Sequence, residues 1–168
     1  MFHEYLSSTG TTASAMVIKD LVMADQFDND RDAGRVLSSV AYHIRRPNTQ
    51  LVKEYEALLN WGGAKRFVKM AIPLSFGHLV QMTCKRAGNA GGAEQMDCWQ
   101  NFASKYVKMF YEKFKSASSR DDKQVYLNAM SNIRHGGQAH AVKELVYGET
   151  NEDPEFRAIG VWVAGTQV

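Results

Sequence analysis

Residues 10–47, GTTASAMVIKDLVMADQFDNDRDAGRVLSSVAYHIRRP, hold two apolar stripes of helical period separated by a polar break. In the first, Ala15, Ile18 and Val22 keep helical spacing from about Thr12 to Met23, and Thr11 or Thr12 offers a hydroxyl to cap the start. Asp25 to Asp30 interrupts the pattern. In the second, Ala33, Val36, Leu37, Val40 and Ala41 fall on one face. Arg45-Arg46-Pro47 ends it, because proline lacks an N–H and pushes the residue before it toward extended backbone.

Outward from this stretch the same reading repeats. Asn48 or Thr49 caps a third helix with a face of Leu51, Val52, Tyr55, Leu58 and Leu59, and Gly62-Gly63 is expected to stop it. A long segment from Lys65 to Lys85 carries Phe67, Val68, Ala71, Leu74, Leu79, Val80 and Met82, with Pro73 expected to kink or divide it. From Arg86 to Asp97 the composition turns to Gly, Ala and Asn, which predicts a flexible loop over 86–97 and the best internal break of a single domain. Ala103, Tyr106, Val107, Phe110 and Phe114 then share a broad face. Ser119 and Asp122 form a capping-box-like pair before Tyr126, Ala129, Met130 and Ile133. Beyond Gly136-Gly137, a stripe of Ala141, Val142, Leu145 and Val146 precedes Asp153-Pro154 and a last helix with Phe156, Ile159, Trp162 and Val163. The spacing from Ser119 to Asp153 is about that of a helix-pair repeat.

The class is therefore all-α, without sustained strand-like alternation. Each helix is short, so its stability comes from docking an apolar face on neighbours, and short connections favour antiparallel pairs in a bundle or two-layer superhelix. With 168 residues, 45% hydrophobic, the chain buries a sizeable core. A formal charge of +2 leaves no strong footprint for nucleic acid or an anionic membrane. No transmembrane span is expected, since Lys, Asp, Gly or Gln breaks every apolar run. Met1 to Gly10 lacks the basic flank and apolar run of a secretory signal, and both ends read as truncated.

Catalytic, cofactor and metal motifs are not found in the sequence. The elbow, phosphate-loop and zinc-protease signatures are missing, and Gly88-Asn89-Ala90-Gly91-Gly92 neither follows a strand nor precedes the lysine that a phosphate loop requires. His135 and His140, across Gly136-Gly137, fit a helix end and a surface position better than a ligand pair. Lys105, Lys108, Lys113 and Lys115 among Tyr106, Phe110, Tyr111 and Phe114 suggest a buried aromatic stripe edged by lysine stems more than a nucleic-acid face. Arg45 and Arg46 fit the neutralisation of helix-end carbonyls better than capture of a partner's anions. Cys84 and Cys98, the only cysteines, flank the Gly-rich segment; they would pair in an oxidising compartment and remain thiols in the cytosol.

Three stretches resemble the large lipid transfer proteins, the family of vitellogenin, apolipophorin, apolipoprotein B and microsomal triglyceride transfer protein. They are Gly10-Thr11 with Ile18-Lys19-Asp20-Leu21 and His43-Ile44-Arg45-Arg46-Pro47; the helix ending in Cys84, with its loop and Cys98; and Tyr126 to His135 followed by Asp153-Pro154-Glu155-Phe156-Arg157. Their order carries the likeness, and the last pair is also similar to HEAT-type repeats.

The resemblance implies a two-layer α-α superhelix of short antiparallel helix pairs, part of the helical domain of a larger, vitellogenin-like yolk or lipid carrier. That carrier would be secreted, with its lipid cavity formed by sheet domains outside this chain. Lipid contact would be indirect, and a homodimer or a cell-surface receptor would involve the full-length protein. The resemblance also implies a disulfide between Cys84 and Cys98, which would restrict the unfolded chain by roughly 3 kcal/mol in the loop-entropy account. No catalytic residue, cofactor or metal is implied. The competing expectation is an intracellular helical-repeat adaptor with a protein partner.

Overall fold

In a computed structural model, residues 2–133 are described, and every regular element among them is helical. The order is α1 (Phe2–Ser8), α2 (Thr12–Met23), α3 (Asp30–His43), α4 (Thr49–Leu59), α5 (Arg66–Lys85), α6 (Ala93–Asp97), a π-helical turn (Cys98–Ala103), α7 (Ser104–Ser116) and α8 (Arg120–Asn132). The chain divides into two compact units, Met1–Arg86 and Ala87–Val168, at the Gly-rich break where a single domain had been expected. The expectations for residues 134–168 lie outside the described residues, His135, His140 and the last two helices among them.

In the first unit, capping follows local chemistry where the sequence supplies it. Thr11 accepts from the Ser14 N–H, Asn29 from Asp32 and Asn48 from Leu51, so three helices begin on a side-chain oxygen. The stripe residues of α2 and α3 are all buried, as are Leu51, Val52, Tyr55 and Leu58 of α4. The end of α4 differs from the expectation: the helix stops at Leu59 with Asn60 as its C-cap, before Gly62-Gly63 is reached. Pro73 also does not divide α5, which runs unbroken from Arg66 to Lys85. Proline in a helix interior costs about 3 kcal/mol. Here Val68, Ala71 and Ile72 before it and Phe76, Leu79 and Val80 after it are all buried, and that continuous packing offsets the loss.

The first unit is built as a repeat. α2 and α4 begin at Thr12 and Thr49, 37 residues apart, and α3 and α5 at Asp30 and Arg66, 36 apart. Equivalent helices lie side by side and run the same way. The Tyr55 hydroxyl donates to the Ala15 carbonyl at 2.6 Å and Lys19 pairs with Glu54 at 3.2 Å, both joining α2 to α4, and Lys65, just before α5, reaches Asp25, just after α2, at 2.7 Å. Asp30 and Phe67 meet at the starts of α3 and α5, and the Tyr42 and His78 rings lie 4.5 Å apart farther along. One layer is thus α2 with α4, and the other is α1, α3 and α5. Within a pair the helices are antiparallel: the Gly10 carbonyl, just before α2, accepts from the Arg45 N–H, just after α3.

That junction requires glycine. Gly10 has φ of +67°, and a Cβ there would run into the His43 carbonyl oxygen. Gly34 is the other close approach, where a Cβ would sit 2.8 Å from the Phe67 carbonyl oxygen and force α3 and α5 apart.

In the second unit, the segment expected as a loop over 86–97 contains α6 in its last five residues. The helical backbone continues through the π turn into α7. Cys98 and Ala103, five apart, are both buried, and an i→i+5 turn is what brings such a spacing to one face. Ala103, Tyr106, Val107, Phe110 and Phe114 are all buried, as expected. Ser119 caps α8 through the Asp122 N–H at 3.1 Å. α7 and α8 form an antiparallel hairpin, with Phe110 stacked on Tyr126 and Lys123 over the Phe114 ring. On α8, Leu127 is fully buried whereas Tyr126 is only half-buried, so the burial is wider than the expected stripe.

Candidate functional site

The exposed side of the α3–α5 contact carries several unsheltered apolar side chains, among them Tyr42, Phe67 and Met70. Arg31, Arg35, Ser38 and Tyr42 recur at helical spacing on α3, and Phe67, Met70, Leu74 and His78 do the same on α5. Because the helices are parallel and in step, the two rows flank an open groove of about 210 Å³ whose floor is Gly34 and Ala71. The missing side chain at Gly34 lets the backbones come close enough to make that floor. Phe67 is 44% exposed, Met70 39% and Tyr42 62%.

The rim of the groove mixes arginines with carboxylates. Arg35 pairs with Glu4 of α1 at 2.7 Å and with Asp32 at 3.4 Å. The hydrogen bond and charge of Arg35 hold the Glu4 carboxyl below the usual carboxylate range. Arg66 lies over the Phe67 ring, 5.8 Å from its centroid, and Arg31 lines the groove directly. Beneath this end of the fold, α5 starts with Lys65 and Arg66 and has no acidic residue in its first turn and no cap of its own. Asp30 supplies the missing acceptor, taking the Phe67 N–H at 2.7 Å and the Val68 N–H at 3.3 Å.

On the other layer a small polar cluster surrounds one buried lysine. Lys19 is 8% exposed and pairs with Glu54 at 3.2 Å and Asp20 at 3.3 Å. Burial alone would push its pKa down, but the bonds to Glu54 and Asp20 prevail and hold it above the ordinary lysine value. Gln50 donates to the second Glu54 oxygen at 3.1 Å. Every member has a partner within the fold, so the cluster ties α2 to α4 and offers no reactive group.

The residues singled out in the sequence fall as follows. Cys84 and Cys98 are buried, and neither is a free thiol. Tyr106, Phe110 and Phe114 are buried, with Lys105 over the Tyr106 ring and Lys115 over Tyr111 and paired to Glu112. The aromatics are thus a core stripe with lysines at its edge. The Arg45 and Arg46 side chains are exposed, and it is the Arg45 backbone that is engaged. Among the described residues no group of three or more His, Cys, Asp and Glu side chains is placed to hold a metal ion, and no helix is long and apolar enough to cross a membrane.

The groove was not visible from the sequence, where Phe67 was one of the apolar residues of the long segment from Lys65 to Lys85. Its signal was present: Phe67 and Val68 are adjacent and cannot share a narrow helical face, and Arg66 beside Phe67 marks the outer one.

The chain matches the family described as the vitellogenin TPR domain over residues 1–162. No curated protein and no solved structure matches the chain.

Proposed function

Because the chain belongs to the vitellogenin TPR domain family, we propose that it is the helical scaffold of a secreted, vitellogenin-like lipid carrier and has no catalytic role. The carrying observation is the way the family-like residues meet. Gly10-Thr11 and His43 to Pro47, far apart in sequence, meet at one junction, and Lys19 of the Ile-x-Asp-Leu helix bridges to the next repeat. These residues serve helix stacking. On this reading the segment supplies a stiff helical wall, while sheet domains elsewhere in the carrier hold the lipid, and receptor binding or dimerisation belongs to the full-length protein.

A secreted carrier also assigns the cysteines. Cys84 and Cys98 pair, closing the Gly-rich segment between them and removing roughly 3 kcal/mol of unfolded-chain freedom. That neither is a free thiol supports an oxidising compartment over the intracellular adaptor.

The test uses the full-length protein from extracellular fluid. Organic extraction should recover lipid from it, whereas the 168-residue chain expressed alone should retain none. Non-reducing peptide mapping should find Cys84 joined to Cys98. Lipid bound tightly by the isolated chain, or alkylatable thiols in the secreted protein, would count against the scaffold reading.

A further inference from the structure

The α3–α5 groove has the makings of a recognition site that the scaffold role does not use. Its floor is backbone and small side chains, its walls are Phe67, Met70 and Leu74, and its rim holds arginines instead of lysines. A volume of about 210 Å³ takes one large side chain. Aromatic residues, Met and Arg are the types enriched at the centres of protein interfaces.

Charge decides the occupant. One rim arginine, Arg35, already holds protein carboxylates, those of Glu4 from α1 and Asp32. Arg31 and Arg66 have no carboxylate within ion-pair distance among the described residues. A guanidinium presents a planar fork that matches a carboxylate in two parallel bonds. The site is also a concavity between helices, which suits an inserted side chain, whereas a bilayer surface favours projecting apolar groups ringed by lysine.

We propose that this groove docks an acidic protein segment, which inserts an apolar side chain over Gly34 and Ala71 and places flanking carboxylates on Arg31 and Arg66.

The test is fluorescence anisotropy on the 168-residue chain. The probe is a short fluorescein-labelled peptide in which phenylalanine is flanked on both sides by glutamates. Arg31→Glu with Arg66→Glu should weaken binding by about tenfold or more, and Phe67→Ser should weaken it comparably. The doubly reversed chain should instead bind the peptide whose glutamates are replaced by lysines. All three positions are solvent-facing, so circular dichroism should be unchanged. Arg45→Glu with Arg46→Glu, exposed arginines outside the groove, is the control. No binding of the peptide overturns the proposal, and so does equal weakening by the control pair, which would indicate unspecific attraction. Binding of phosphatidylserine vesicles, lost in the Arg31 and Arg66 variant while the peptide fails to bind, assigns the rim to lipid headgroups and also overturns it.

Discussion

The two units hold their helices in register by different means. In the first, equivalent helices are matched by polar contacts: Tyr55 to the Ala15 carbonyl, Asp30 to the Phe67 and Val68 amides, and Lys19 to Glu54. In the second, the α7–α8 hairpin is matched by rings, with Phe110 on Tyr126 and Phe114 under Lys123. The directional contacts go with a repeat, in which each helix must find the same place on the next copy. A hairpin closed by the short link from 117 to 119 has its register set by chain connectivity, and non-directional packing suffices.

Removing a ring should therefore do more damage than removing any one polar tie. Phe110 is fully buried at the middle of the hairpin, so Phe110→Ala should cost about 3–5 kcal/mol in urea unfolding. Hydrogen exchange should quicken across α7 and α8 and stay near wild type in α2 to α5. Uniform loss of protection along the whole chain would remove the distinction between the units. Next in size is Gly10→Val. It forces a β-branched residue into left-handed backbone and against the His43 carbonyl, for about 1–3 kcal/mol, with faster exchange at the ends of α3 and α2. Unchanged stability would mean that the junction does not need its glycine.

The sequence made the helices legible wherever the governing contacts are local. Period-3.6 stripes identified the buried faces of α2, α3 and α7, and Thr11, Asn48 and Ser119 announced helix starts, because a cap bonds an amide three residues away. The misreadings come from contacts distant in sequence. The acceptor for α5 is Asp30, 37 residues before Phe67, so the sequence around Lys65 and Arg66 names no cap. Pro73 was judged on local cost alone, while the neighbouring helices decide the outcome. The repeat itself was sought at Ser119 to Asp153, partly outside the described residues. It is clearer at Thr12 to Thr49 and Asp30 to Arg66, where cap positions Thr11 and Asn48 also stand 37 apart. The groove escaped notice because parallel alignment of α3 and α5 creates it, and no spacing within either helix encodes that alignment.

The long-range cap gives the sharpest test of directional register. Asp30→Ala leaves two amides at the start of α5 without their acceptor and should cost about 1–2 kcal/mol, similar to loss of a local cap. A thermal-melt series should show that Asp30→Asn, which keeps an oxygen but loses the charge beside the helix start, recovers part of it. If alanine is neutral, the α3–α5 alignment rests on packing, and the first unit becomes like the second.

The smallest effect expected is Tyr55→Phe, at about 1 kcal/mol, since it removes a single buried hydrogen bond from a carbonyl that also serves its own helix. Its diagnostic value lies in alkaline solution. Burial, with a lesser contribution from Asp20, raises the folded phenol above the ordinary tyrosine value of about 10. Below that pH the phenol is protonated in both states and its contribution is complete. As the pH rises past it, the unfolded chain ionises first, and stability falls until the folded phenol ionises as well. The wild-type chain should therefore lose stability more steeply above about pH 10 than Tyr55→Phe, with the remaining tyrosines common to both. Parallel curves would mean that Tyr55 is hydrated in solution, and the α2–α4 tie would then reduce to the Lys19–Glu54 pair.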